Sequence, residues 1–320
     1  MDRLELVVRN AEEIVTLEEL KALMEAKERP RAYVGYEPSG KVHMGHMLTV
    51  NKLIDLQAAG FQVVVLLADL HAYLNEKGTL EEVRATADYN RDCFIALGLD
   101  PKETEFVYGT DYQLEPEYVK NVLKMARNTT LNRARRSMDE VGRNMDNPHV
   151  SQMIYPLMQA VDIAALRVDL AVGGIDQRKI HMLAREEMPK LGLQPPVCLH
   201  TPIISGLNGG KMSSSKGNYI SVDDSAEDLD KKIISAYCPA KDIEGNPVTE
   251  LFKYHILPRL GAVTIRRPEK FGGDVTYEGY EALEADYLAG KMHPLDLKKS
   301  AVEHLNAILE PVREKMGLEC

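Results

Sequence analysis

Two short stretches of the chain bring together residues able to handle a polyphosphate. Residues 38–46, PSGKVHMGH, set His43 and His46 three apart around Gly45, where an apolar strand gives way to a helix. Gly45 leaves room for a nucleotide against the backbone, and the helix start offers unpaired N–H groups and a partial positive charge to phosphate oxygens. Two imidazole donors add stabilisation of charge developing on a phosphoryl group, on the order of 2 to 4 kcal/mol for each preorganised donor. The plain alternative is a surface helix start with incidental histidines; a zinc site would need a third ligand nearby, and none is at hand. The second stretch, residues 211–217, KMSSSKG, puts two lysines and three hydroxyls on a Gly-flanked loop spanning about 207–218. Lys211, with Ser213 and Ser214, could close over a polyphosphate and reopen to release product, or the stretch is a solvated linker.

A third constellation is residues 120–136, KNVLKMARNTTLNRARR, with six basic side chains and no acid in a chain of 320 residues whose net charge is −10. The overall charge argues against a polyanionic partner, whereas this segment argues for one at a confined place; a solvated helix face is its ordinary alternative.

These groups need a scaffold. Apolar runs at 31–38, 61–70, 105–109 and 167–174 read as strands, and 44–59, 79–97, 115–127, 151–166 and 177–190 read as helices between them. The alternation predicts an α/β protein with a Rossmann-like, doubly wound parallel sheet, whose strand exits at 35–38, 69–71 and 173–177 converge on one crevice. Residues 1–222 are expected to form that domain, with a connective insertion at about 111–150, and 223–320 a smaller, mainly helical one. Cys93, Cys198, Cys238 and Cys320 are scattered without a CxxC pair, so they read as free thiols, the first three as packing residues. The N-terminus is too charged for a secretory signal and the longest apolar run, residues 63–68, too short to span a bilayer, so a cytoplasmic protein without a membrane partner is expected.

Taken as a pair, HMGH and KMSSS resemble the HIGH and KMSKS signatures of class I aminoacyl-tRNA synthetases. AYVGYEPSGKVHMGH, LLADLHAYLN, QMIYPLMQAVDI, VDLAVGGIDQRKIHMLARE, KMSSSKGNYISVDDS and RRPEKFGGD are similar to successive blocks of tyrosyl-tRNA synthetases of the archaeal and eukaryotic type, from about Ile14 to the end. The resemblance implies ATP-dependent attachment of L-tyrosine to tRNA(Tyr) through a tyrosyl adenylate. It implies that Tyr33 and Asp162 hold the substrate phenol, that His71 lines the ring pocket, and that Tyr155, Gln159 and Gln177 hold the ammonium and carboxylate ends. Rejection of a substrate lacking the hydroxyl follows from leaving such a buried pair unmatched, a behaviour for which tyrosyl-tRNA synthetases are themselves the standing example. His43, His46 and Lys211, with Mg²⁺ carried by ATP, are implied in the phosphoryl chemistry, and Gly45, Ser213 and Ser214 in ATP binding; no structural metal is expected.

For RNA, the resemblance places Arg136, Arg178 and Lys179 on the first acceptor-stem pair, and Phe271, His293 and Asp296 around the first anticodon base, in a helical anticodon-binding domain. It implies a homodimer. The substrate carboxylate is already a nucleophilic anion, so the lack of a Ser/His/Asp or Cys/His set fits. Departures are small: Met44 stands where HIGH has Ile, and Ala164 and Ala165 follow the polar helix face. The nearer alternative is a tryptophanyl-tRNA synthetase. More remote ones are a small-molecule nucleotidyltransferase with an HxGH helix start and a catalytically silent RNA-binding protein.

Overall fold

The computed structural model describes residues 2–142, 145–210, 212 and 217–318. Its contacts divide the chain into two compact units, residues 1–40 with 52–202 and residues 41–51 with 203–320.

In the first unit, six strands among the described residues form one sheet: β1 (Glu13–Val15), β2 (Arg31–Tyr36), β3 (Gln62–Leu67), β4 (Thr104–Tyr108), β5 (Leu170–Gly174) and β6 (Val197–Thr201). The order is β1-β6-β5-β2-β3-β4, and every pairing is parallel except β1 with β6. The chain leaves β2 toward β3 and β4 and later returns to its other side with β5, so the topological switch lies between β2 and β5. In β3, Val63, Val64, Val65 and Leu67 are fully buried, as a central parallel strand covered by helices requires, each contributing on the order of 2 kcal/mol. The strand is shorter than the expected 61–70, because the chain turns at Ala68 into the helix Asp69–Leu74. Asp69 makes that turn: its Oδ1 accepts from Leu70 N and Thr110 N, both at 2.9 Å.

Helices Leu80–Ala96, Pro116–Asn128, Val150–Ala165 and Arg178–Glu187 lie close to their expected spans. Leu80–Ala96 opens on a capping box, in which Glu82 N donates to Thr79 Oγ1 and Thr79 N to Glu82 Oε2. Pro116–Asn128 carries half of the basic segment, yet Tyr118, Val122 and Met125 at i, i+4, i+7 are buried in the core with Leu157, Met158 and Val161. Lys120, Lys124 and Arg127 point outward. No helix among the described residues is long and apolar enough to cross a membrane.

The second unit contains helices Ala226–Ser235, Pro247–Leu251, Leu257–Leu260, Tyr280–Leu288 and Pro294–Lys315, and the antiparallel pair β7 (Val263–Ile265) with β8 (Val275–Tyr277). It begins earlier than the boundary expected at 222 and includes residues 41–51. The reason is backbone pairing: Met44 N donates to Ile220 O at 3.1 Å, Val222 N to Val42 O at 2.9 Å, and His43 bridges Ser221 antiparallel. The stem of the KMSSS loop is thereby joined to the HMGH segment.

Candidate active site

In the first unit a polar cluster is built on Asp162, which is fully buried. Its Oδ1 accepts from the hydroxyls of Tyr112 at 2.6 Å and Tyr118 at 2.7 Å and from Gln113 Nε2 at 2.8 Å. Its Oδ2 has no hydrogen-bond partner among the described residues, with His71 Nε2 at 3.6 Å. Leaving a buried acceptor without a donor costs about 1 to 3 kcal/mol, so this oxygen is suited to a donor brought by a ligand. Burial raises the carboxyl pKa above its ordinary 3.8, against the opposing pull of His71 and of the three donors.

Gln113 Nε2 also lies 3.2 Å from His71 Nδ1. An amide nitrogen only donates, so Nδ1 is the acceptor and Nε2 is the ring nitrogen left to carry a proton toward Asp162. Room for this arrangement comes from Gly109 at the end of β4, where a Cβ would collide with the Gln113 carboxamide and with Asp69.

Tyr33 is 1% exposed on β2, and its hydroxyl lies 2.8 Å from where a Cβ of Gly35 would stand. Residues i and i+2 share a strand face, so only glycine at 35 leaves that hydroxyl its place. Burial, then the Asp162 charge, raises the Tyr33 pKa well above 10.0 and keeps it a neutral phenol. Tyr155 meets His71 edge-on at 4.6 Å and donates to Glu37 Oε2 at 3.1 Å. Glu37 is held in turn by Asn75 Nδ2 at 2.9 Å and Lys77 Nζ at 3.0 Å. Gln159 Nε2 donates to Gln177 Oε1 at 3.3 Å, and Gln177 packs on Gly173 at the exit of β5.

All six residues expected to bind the amino acid therefore lie in this unit: Tyr33, His71, Tyr155 and Asp162 are linked by ring contact or charge, and Gln159 pairs with Gln177. Sequence reasoning missed Tyr112, Gln113, Tyr118, Glu37 and Asn75. Glu37 had a signal, a lone acid at the exit of β2; the others had none in spacing.

In the second unit the HMGH segment forms a capping box made of histidines. His43 N donates to His46 Nδ1 at 3.2 Å and Gly45 N to His43 Nδ1 at 3.1 Å. With Met44 N bonded to Ile220 O, three N–H groups at the helix start are engaged. The expectation of unpaired N–H groups for phosphate is corrected accordingly. Because each Nδ1 accepts, each ring carries its proton on Nε2. Burial holds His43 at about 4 and, with its neighbour His43, takes His46 well below 6.5, so both are neutral donors at pH 7. A Cβ at Gly45 would stand 3.0 Å from His43 Cε1 and 3.7 Å from Met212 Sδ; the glycine makes room for the imidazole. Lys211, Ser213 and Ser214 lie outside the described residues.

Of the residues expected to meet RNA, Arg136 is exposed. Arg178 Nε donates to both oxygens of Glu13, at 2.9 and 2.8 Å, and Lys179 pairs with Asp139 at 3.2 Å and Glu140 at 3.1 Å. Arg133 pairs with Glu186 at 2.8 Å. In the second unit Phe271 is 62% exposed in the turn between β7 and β8. Arg267 ties that turn to the approach of Pro294–Lys315 by donating to Lys291 O at 2.6 Å. His293 caps the helix, accepting from Leu295 N at 3.1 Å, with Asp296 in its first turn.

The family described as tRNA synthetases class I (W and Y) matches residues 24–310. A tyrosine–tRNA ligase of Methanosarcina acetivorans is 65% identical over 314 residues, covering 98% of this chain and 99% of its own. The crystal structure of a tyrosyl-tRNA synthetase from Archaeoglobus fulgidus complexed with L-tyrosine superposes with a TM-score of 0.97 at 64% identity, covering 98% of this chain and 99% of that one. That from Pyrococcus horikoshii, also complexed with L-tyrosine, gives 0.92 at 34% identity, covering 99% and 97%.

Proposed function

The chain belongs to the class I tRNA synthetases of the W and Y family, within the archaeal type of tyrosine–tRNA ligase, and from that premise we propose that it joins L-tyrosine to tRNA(Tyr) through a tyrosyl adenylate. The observation that carries the choice of amino acid is Asp162 Oδ2, a buried oxygen without a hydrogen-bond partner among the described residues, coupled by charge to the neutral hydroxyl of Tyr33. A phenol donates to the first and accepts from the second. His71 flanks the ring, and Tyr155, Gln159 and Gln177 hold the amino and carboxylate ends.

The substrate carboxylate attacks the α-phosphorus of ATP, the bond from that phosphorus to the bridging oxygen breaks, and pyrophosphate leaves with the Mg²⁺ that entered with the nucleotide. His43 and His46 supply neutral Nε2–H donors to the phosphoryl oxygens, and Gly45 gives the His43 ring its place; the family motif assigns Lys211, Ser213 and Ser214 to the polyphosphate. A terminal ribose hydroxyl of tRNA then attacks the tyrosyl carbonyl and releases AMP. Arg136, Arg178 and Lys179 meet the acceptor stem. Phe271 offers a stacking face to the first anticodon base, with His293 and Asp296 beside it, which makes residues 223–320 the anticodon-binding region. Exposed Leu114, Val119, Leu123, Leu131 and Val150, on or flanking the helices of the connective segment, support a homodimer.

Exchange of pyrophosphate into ATP tests the assignment. It is expected to depend on tyrosine and to be indifferent to tryptophan; exchange driven by tryptophan, or by neither, would overturn it.

A further inference from the structure

A chain of hydrogen bonds that the reaction above leaves unused ties the helix start bearing Gln177 and Arg178 to the sheet. Glu13, His200 and Gly173 occupy one row across β1, β6 and β5. Glu13, besides holding Arg178, has its Oε2 2.9 Å from His200 Nδ1. His200 Nε2 lies 3.0 Å from His181 Nδ1, and the two rings are buried and stacked at 5.1 Å. A carboxylate only accepts, so His200 donates from Nδ1, accepts at Nε2, and His181 donates from Nδ1. Burial holds both imidazoles below 6.5, His181 at about 3, and the polarity of the chain is fixed at pH 7. At its inner end a Cβ on Gly173 would stand 3.3 Å from His181 Cε1 and 3.0 Å from Gln177 Cγ, so both side chains pack into the same gap. At its outer end Arg178 stands one turn before His181 on the same helix face.

We propose that Glu13, His200 and His181 are positioning residues that couple the hold on Arg178 to the seat of Gln177, and so couple RNA engagement to tyrosine affinity. The proposal rests on reading Gln177 as a tyrosine contact and Arg178 as an acceptor-stem contact. When Arg178 turns to RNA, Glu13 loses its cation and keeps only His200. The altered pull on the imidazole pair is felt beside Gln177. If the pair merely satisfied its own buried polar atoms, substrate affinity would be independent of Glu13.

Tyrosine affinity measured by equilibrium titration, with and without tRNA, separates the two. Wild-type protein must first show tyrosine-dependent exchange; failure there sinks the functional reading and leaves the relay out of account. Glu13 sits on the sheet edge with its side chain 30% exposed, so Glu13→Gln should fold. It is expected to weaken tyrosine binding about fivefold without tRNA and to abolish the change that tRNA causes. Arg178→Ala frees Glu13 as RNA would and is expected to show, without tRNA, the tyrosine affinity that wild type shows with it. His200→Phe should behave as Glu13→Gln, and His200→Asn, which keeps a donor toward Glu13, should recover part of the coupling. If Glu13→Gln and Arg178→Ala both bind tyrosine as wild type does, the proposal is wrong, whether or not the His200 variants fold. A loss of affinity that tracks melting temperature across all variants overturns it equally.

Discussion

Gln113 and Asp162 are joined by a single hydrogen bond of 2.8 Å, and the same amide nitrogen reaches His71 Nδ1 at 3.2 Å. One side chain thus presents Oδ2 of the carboxylate and fixes the protonated nitrogen of the imidazole. Gln113→Leu removes both bonds; Asp162 Oδ1 keeps the hydroxyls of Tyr112 and Tyr118, but His71 Nδ1 becomes a buried acceptor short of its donor, a cost of about 1 to 3 kcal/mol. The expected result is a fall of about tenfold or more in kcat/KM for tyrosine in pyrophosphate exchange, with KM for ATP unchanged. Unaltered tyrosine kinetics would remove Gln113 from the site.

Gly35→Ala tests the place of the Tyr33 hydroxyl. The new methyl would stand 2.8 Å from it, and the phenol must shift. Steady-state exchange with tyrosine and with phenylalanine is the measurement. Activity with tyrosine should drop while that with phenylalanine holds, so the ratio narrows; a ratio equal to wild type would mean that the hydroxyl takes no part in discrimination.

Stability should depend on pH on the acid side. Burial holds His43 at about 4 and His255 at about 3, against 6.5 for an unhindered imidazole. Between 6.5 and these values the unfolded chain binds protons that the folded chain does not. Stability is therefore fully present above 6.5 and is lost as pH falls through that window, to about 4 for His43 and about 3 for His255. Thermal unfolding followed across that window should show the melting temperature falling, less steeply in His255→Gln. A flat profile would contradict the buried, neutral state of these rings.

Arg136→Ala should raise KM for tRNA in aminoacylation and leave tyrosine-dependent exchange without tRNA at the wild-type rate. Wild-type tRNA affinity should fall as salt rises from low to physiological ionic strength, since phosphate contacts release counterions. Affinity indifferent to salt would refute docking through the basic segment.

The sequence made the central strands and long helices legible because β2 to β5 are apolar runs and the helices repeat at i, i+4, i+7. Both outer strands on the β5 side escaped. β1 is three residues long, and β6, after Pro195 and Pro196, carries polar His200 and Thr201 in buried positions. The helix Asp69–Leu74 escaped too, because the carboxylate that opens it closes onto Thr110 from far along the chain. The same holds in the site. Tyr155, Gln159 and Asp162 come to notice through the resemblance of the stretch that carries them, whereas Tyr112, Gln113 and Tyr118 reach Asp162 only because the path after β4 folds back over the helix Val150–Ala165. The extent of the second unit was hidden for a related reason. Backbone pairing between residues 42–44 and 220–222 has no signature in side-chain pattern.

Arg178 and Lys179 each hold carboxylates, Glu13 for one and Asp139 with Glu140 for the other. These acids act as a resident competitor for the cations that RNA would take. Docking is then an exchange of partners, and a phosphate that captures Arg178 also meets the acid it displaced unless that acid turns aside. A loosely apposed polyanion is turned away by such a surface, while one shaped to take both cations at once can hold them: selectivity arises from what the protein already binds in itself.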